Sequence, residues 1–206
     1  MKSNNISKLA KKNKVFSKFF LEYVNYLQKV SKILNEKDID KFLLSLDNAR
    51  KKKSTIFVAG NGGSAANAMT MANDLGFDIF KKTKTKKPFK IVSLTDNSSV
   101  VTAISNDISY DDIFINQLKI HFKKGDYLLL FSASGNSINL VKAAQWVKKN
   151  KGVCLGLLGF NGGKLKKICN TSVVFKTLKG EYGPVEDFHL IMNHTLAHWF
   201  QVKLNK

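Results

Sequence analysis

Twice in this chain a run of apolar residues ends in a cluster of small polar residues and passes directly into a helical pattern. Ile56–Ala59 runs into Gly60-Asn61-Gly62-Gly63-Ser64, and Leu128–Phe131 into Ser132-Ala133-Ser134-Gly135-Asn136-Ser137. A short apolar run without alternation is the pattern of a strand covered on both faces, which parallel sheets require. Similar runs occur at Thr55–Ala59, Lys90–Leu94, Tyr127–Phe131, Val153–Leu158 and Ser172–Phe175. Between them, helical spacing covers Ala65–Leu75, Val100–Ser105, Ile113–Phe122, Ile138–Lys149 and Lys164–Ile168, and a long helix from Val185 to Leu204 closes the chain. Strand alternating with helix predicts a doubly wound α/β domain with a five-stranded parallel sheet flanked by helices.

Apolar residues at threes and fours from Phe16 to Leu34 predict an amphipathic helix with a wide aromatic stripe, and a second helix is expected over Ile39–Lys53. The organisation expected is one domain over residues 1–206, with residues 1–53 as a helical extension and 54–206 as the α/β core. Lys81–Lys87 reads as a polar connector. The wide stripe on the first helix suits self-association.

The 206 residues carry 34 Lys plus Arg against 15 Asp plus Glu, a formal charge of +19. Such a balance raises nucleic acid as a partner. However, Arg50 is the only arginine, so the planar fork that reads guanine edges is almost absent, which argues against nucleic acid. No apolar run approaches the ~20 residues of a membrane helix, and no membrane partner is expected. The start is cationic, with Lys2, Lys8, Lys11, Lys12, Lys14 and Lys18, but lacks the apolar segment of a secretory signal. Cys154 and Cys169 are too few and wrongly spaced for a disulfide framework or zinc ribbon, so a reducing cytoplasm is the expected setting.

The two polar loops are where an open α/β sheet binds ligands, at the carboxyl ends of its strands. Glycines allow close backbone approach, and the first amides of a helix favour an anion. Neither loop has the dinucleotide fingerprint or the Gly-Lys-Ser/Thr of a P-loop, so no nucleotide cofactor is expected. A serine at a helix start is ordinarily a cap, but capping needs only one of Ser132, Ser134 and Ser137. Several hydroxyls with helix-start amides can hold a phosphate without arginine.

Together with Thr95-Asp96, Ser105-Asn106-Asp107, Asp112-Ile113-Phe114, Gly162-Gly163-Lys164, Glu186-Asp187-Phe188-His189 and His194, these loops make the chain resemble the sugar isomerase (SIS) domain family, in its phosphoheptose isomerase branch. The resemblance implies a homotetramer with active sites at subunit contacts and a phosphorylated sugar as ligand. It places the phosphate on Ser132, Ala133, Ser134 and Ser137, and further ligand contacts on Asn61, Gly62, Ser64, Asp96, Asn106 and Asp107. It implies an aldose–ketose isomerase for sedoheptulose 7-phosphate or a related ketose phosphate, acting through an enediol. Where the family has His, Glu, Gln and His around zinc, this chain has Thr70, Asp74, Glu186 and His194. Thr70 is no strong zinc ligand, so any zinc or other divalent metal would rest on Asp74, Glu186 and His194. These three are the candidate catalytic residues, with His194 and Glu186 as the acid–base pair and Asp74 orienting the imidazole. The other reading is a non-catalytic sugar-phosphate-binding or regulatory SIS protein with a degenerate metal site.

Overall fold

The computed structural model describes residues 4–205; Lys2 of the cationic start lies outside that range. Five parallel strands, β1 (Thr55–Ala59), β2 (Lys90–Ser93), β3 (Tyr127–Ser132), β4 (Val153–Gly159) and β5 (Thr171–Phe175), form one sheet in the order β2-β1-β3-β4-β5. The register pairs Ile56 with Tyr127 and Ile91, and Tyr127 with Val153.

Successive residues of a strand point to opposite faces, and both faces are covered at β1, β3 and β4, whereas the edge strand β2 is partly exposed. Ile56, Val58, Leu129 and Phe131 join one core with Phe42 and Leu46 of α3 (Glu36–Lys51), Ala68 and Met71 of α4 (Gly63–Met71), and Phe188 and Met192 of the last helix. Phe57, Ala59, Leu128 and Leu130 join the other with Phe114 and Leu118, and with Leu140, Ala143 and Val147. The helices on that second face are α6 (Ser98–Asp107), α7 (Ile113–His121), α8 (Ile138–Lys149) and α9 (Gly163–Ile168), and the last helix, α10, is Tyr182–Leu204. Phe42, Leu46 and Ala49 are fully buried, so α3 is a layer of the domain rather than an appendage to it.

Three local features differ from the sequence expectation. Residues Asn5–Lys12 form a further helix, α1, capped by Asn4, whose Oδ1 accepts from the Ser7 amide at 2.8 Å; α2 then covers Phe16–Ser31. The helix expected to Leu75 ends as α-helix at Met71 and widens into a π-helical segment, Ala72–Asp78. Helix α5 (Ile79–Thr83) continues from it and takes in Lys81 and Lys82, which shortens the cationic connector. Cys154 and Cys169 are free thiols, and no described helix is long and apolar enough to cross a membrane.

The N-terminal helices are fixed to the start of α10 by one buried carboxylate. Glu181 is 1% exposed and accepts from the Asn5 amide at 2.7 Å, Tyr26 Oη at 2.5 Å and the Leu178 amide at 2.8 Å. Removing an acceptor so placed leaves buried donors unpaired. Glu181→Ala is expected to lower unfolding stability by roughly 3 kcal/mol, measured by urea denaturation.

Candidate active site

From β1 the chain moves outward to β2, then returns past β1 to start β3 on its other side, so the connections leaving β1 and β3 diverge. That switch point opens a crevice. A cavity of about 120 Å³ lies there, walled by Asn61 and Ser64 from the first loop, Ser132, Ala133, Ser134 and Ser137 from the second, and Glu186 and Tyr182 from α10. Phe131 and Leu140 complete its lining.

Two asparagines join the loops. Asn61 Nδ2 donates to Asn139 Oδ1 and Asn139 Nδ2 donates to Asn61 Oδ1, both at 3.0 Å. Tyr110 Oη also donates to Asn61 Oδ1, at 2.9 Å. The Asn61 side chain therefore braces the cavity and keeps one amide hydrogen for a ligand.

The serines divide in the same way between structure and ligand. Ser132 Oγ accepts from the Gly135 amide at 3.0 Å, and Ser134 Oγ from the Asn136 amide at 3.2 Å, which leaves both hydroxyl protons to donate. Ser137 stands at the N-cap of α8 but makes no capping bond, and neither its hydroxyl nor that of Ser64 bonds a described residue of the chain. Gly62, at φ +57°, turns the first loop into α4. A helix start without side-chain caps, ringed by free hydroxyls, has the chemistry to hold an anion with neutral donors alone.

Glu186 faces this cavity across Gly63, where any side chain would overlap its carboxyl group. Asn67 Nδ2 donates to the Glu186 carbonyl at 3.1 Å and fixes α10 against α4. Burial raises the Glu186 carboxyl above its ordinary value, and neighbouring Asp187 adds to the shift. Asp187 itself accepts from Tyr23 Oη of α2. Glu186 is thus a carboxyl at the cavity with its proton affinity moved towards neutrality.

Asp74 and His194 lie elsewhere. Asp74 sits in the π segment, where Asn193 Nδ2 donates to its Oδ2 at 2.6 Å and His194 Nε2 stands 3.7 Å from the same oxygen. His194 is half exposed. Eight residues of helix, roughly 12 Å of axis, separate it from Glu186. The expected group of three is therefore divided within one chain: Asp74 with His194, and Glu186 over the cavity. Thr70 Oγ1 donates back to the Ala66 carbonyl at 3.0 Å. No three His, Cys, Asp or Glu side chains cluster among the described residues. The donor set of one chain does not fit a tetrahedral zinc ion.

Asp96, Asn106 and Asp107 are exposed and do not wall the cavity; Asn106 Nδ2 donates to Asp107 Oδ1 at 2.8 Å. His189 is fully buried between the rings of Phe131 and Phe175, and burial pushes it down to about 3, so it is a neutral core residue. Sequence reasoning missed Asn139, Tyr110, Tyr182 and Asn193. Asn139, two residues past the last serine, had a positional signal; the others are brought in by tertiary packing.

The SIS domain family model matches residues 18–158. A phosphoheptose isomerase of Rhodospirillum rubrum is 33% identical over 142 residues, 69% of this chain and 73% of that protein. One from Aliarcobacter butzleri is 31% identical over 180 residues, 87% of this chain and 92% of that protein. The structure of phosphoheptose isomerase from Neisseria gonorrhoeae superimposes with a TM-score of 0.76 at 27% identity, covering 91% of this chain and 97% of that one.

An N-cap serine replaced by alanine ordinarily loses about 1 kcal/mol. Because the Ser137 hydroxyl caps nothing, Ser137→Ala is expected to leave the thermal midpoint unchanged. It should weaken phosphate binding about tenfold by calorimetry, since it removes a hydrogen bond to a charged group.

Proposed function

The chain belongs to the SIS domain family, and from that membership we propose that it is a sugar-phosphate aldose–ketose isomerase of the phosphoheptose isomerase type. The observation that carries this is the convergence, in one cavity, of the uncapped serine loop with a carboxyl of raised proton affinity. A phosphate seated among Ser132, Ser134, Ser137 and Ser64 directs the sugar chain past Glu186. Sedoheptulose 7-phosphate or a related ketose phosphate is the substrate of this reading, its carbonyl end carried away from the serine loop along α10.

The reaction moves one proton between adjacent carbons. Glu186, as carboxylate, takes a proton from the carbon next to the carbonyl while an acid protonates the carbonyl oxygen, which gives the enediol. Return of a proton to the former carbonyl carbon, with loss of one from the neighbouring hydroxyl, completes the aldose. His194, brought to the same carbons by a second copy of the chain, is the acid of this scheme, its imidazole oriented by Asp74. Asp96, Asn106 and Asp107 serve the sugar hydroxyls in the assembled protein.

Assembly belongs to the same reading. Ile191, His194 and Trp199 lie on the exposed side of α10, and Phe77 is exposed on the π segment beside them. An apolar face around a catalytic pair suits a second copy of the chain, and a homotetramer is the expected form. Light scattering at micromolar concentration should report four subunits, and Trp199→Glu should shift the mass downwards.

Incubation with seven-carbon and six-carbon ketose phosphates in deuterated water, followed by NMR, tests the enediol. Deuterium should enter at the carbon next to the carbonyl. Binding without any exchange would instead favour a regulatory protein, a reading supported by the position of Thr70. Glu186→Gln should lower turnover by about 10²–10⁴ with little change in phosphate affinity. The native rate should fall as pH drops through the raised Glu186 value, because protonation removes the base. This acid limb should lie above the ordinary carboxylate value of 4.5 and be absent from the variant.

A further inference from the structure

The charge of the chain is not spread evenly over the fold. Every strand is entered through a lysine-bearing connection: Lys51, Lys52 and Lys53 before β1; Lys84, Lys86 and Lys87 before β2; Lys123 and Lys124 before β3; Lys148, Lys149 and Lys151 before β4; Lys166 and Lys167 before β5. All are exposed. Because the sheet is parallel, these connections lie at one end of the molecule, opposite the cavity. Lys203, near the end of α10, joins them. The connections leaving the strands carry only Lys176 and Lys179.

Acidic residues do not offset this end. The single acid in the five entering segments is Asp126, 7% exposed and occupied by the amides of Thr55 at 2.8 Å and Lys123 at 2.9 Å. Asp47 is paired with Arg50 at 2.6 Å and Lys51 at 2.7 Å. Cations near helix C-termini are ordinary, since the dipole favours them. That does not explain the backbone. Lys53, Lys84 and Lys151 hold φ of 57°, 50° and 60° just past helix ends, positions where glycine or asparagine is the low-strain choice. Lysine occupies all three despite the strain.

We propose that this pole is an adsorption surface for membranes bearing anionic lipid headgroups. The lysines ring the end of a five-stranded sheet roughly 20 Å across, together with the helix ends on both its faces. A flat charged sheet meets such a surface at once, whereas a nucleic-acid duplex, a cylinder, meets one row of it. The lone arginine is tied to Asp47 and to the Lys87 carbonyl, so it cannot read bases. Lysine point charges suit a diffuse layer of headgroups, each adding attraction within a Debye length. The adsorbed protein holds its cavity away from the bilayer, open to substrate. No described helix is long and apolar enough to cross a membrane, so the proposal departs from the expectation of no membrane partner only at the headgroup surface.

The full-length protein is sedimented with vesicles of phosphatidylcholine containing phosphatidylglycerol, or of phosphatidylcholine alone, at 150 mM salt, with a short DNA duplex measured alongside. Binding to the anionic vesicles alone, released by 500 mM salt, is expected. A variant with Lys52, Lys87, Lys124 and Lys149 changed to Glu should lose at least tenfold in vesicle affinity. A variant of equal net charge with Lys14, Lys18, Lys32 and Lys37 changed to Glu should keep it within threefold. The four single variants at the pole, each checked for an unchanged thermal midpoint, should each show part of the loss. Absence of vesicle binding by the native protein overturns the proposal. So does equal loss in the two quadruple variants, or tighter binding of the duplex than of the anionic vesicles.

Discussion

Two asparagine amides hold the crevice to its width. A doubly wound sheet separates the connections leaving β1 and β3, and nothing in strand pairing fixes how far apart they stand. The reciprocal Asn61–Asn139 pair does so, with Asn139 2% exposed and Tyr110 adding a third hydrogen bond. In that partly buried setting an unpaired amide is costly, so the two loops are tied to a single separation. The Ser64 and Ser137 hydroxyls are free because neither has to brace the loops or cap a helix. The amides carry the structural hydrogen bonds and leave these two hydroxyls without partners among the described residues.

The sheet was legible in the sequence, and the reason is burial. Strands covered on both faces have to be apolar at every position, and β1 and the helix Ile138–Lys149 begin and end where the spacing predicts. The serine loop was legible because three hydroxyls exceed what capping requires. What escaped depends on contacts made after collapse. Helix α1 is anchored by Glu181, distant in sequence, and the widening at Ala72–Asp78 leaves no periodic signature because an extra residue per turn is a matter of packing. The overlap that forbids a side chain at Gly63 was invisible for the same reason: Glu186 is far along the chain, and α10 brings it there.

The π segment bears on the chemistry. A regular helix through Asp74 would point that carboxylate in a different direction, and the widened turn instead aims it at Asn193 and His194. Asn193 is fully buried, and its carbonyl oxygen has no partner among the described residues, so the amide is held in place by a single strong hydrogen bond to Asp74. An acidic residue fixed in this way stands beside the imidazole of His194 and does not reach the cavity ringed by serines.

Glu186 and His194 share one rigid helix, so their separation along α10 is set by geometry and cannot relax towards a compact pair. A proton moved between adjacent carbons needs its acid and base close together, so in the proposed reaction a second copy of the chain has to supply one of the two. The exposed apolar residues beside His194 suit that arrangement, while the cavity ringed by serines is formed within one chain. Binding and chemistry therefore depend on different levels of structure. In the proposed reaction the serine loop needs only a folded monomer, and proton transfer needs a second copy of the chain against α10.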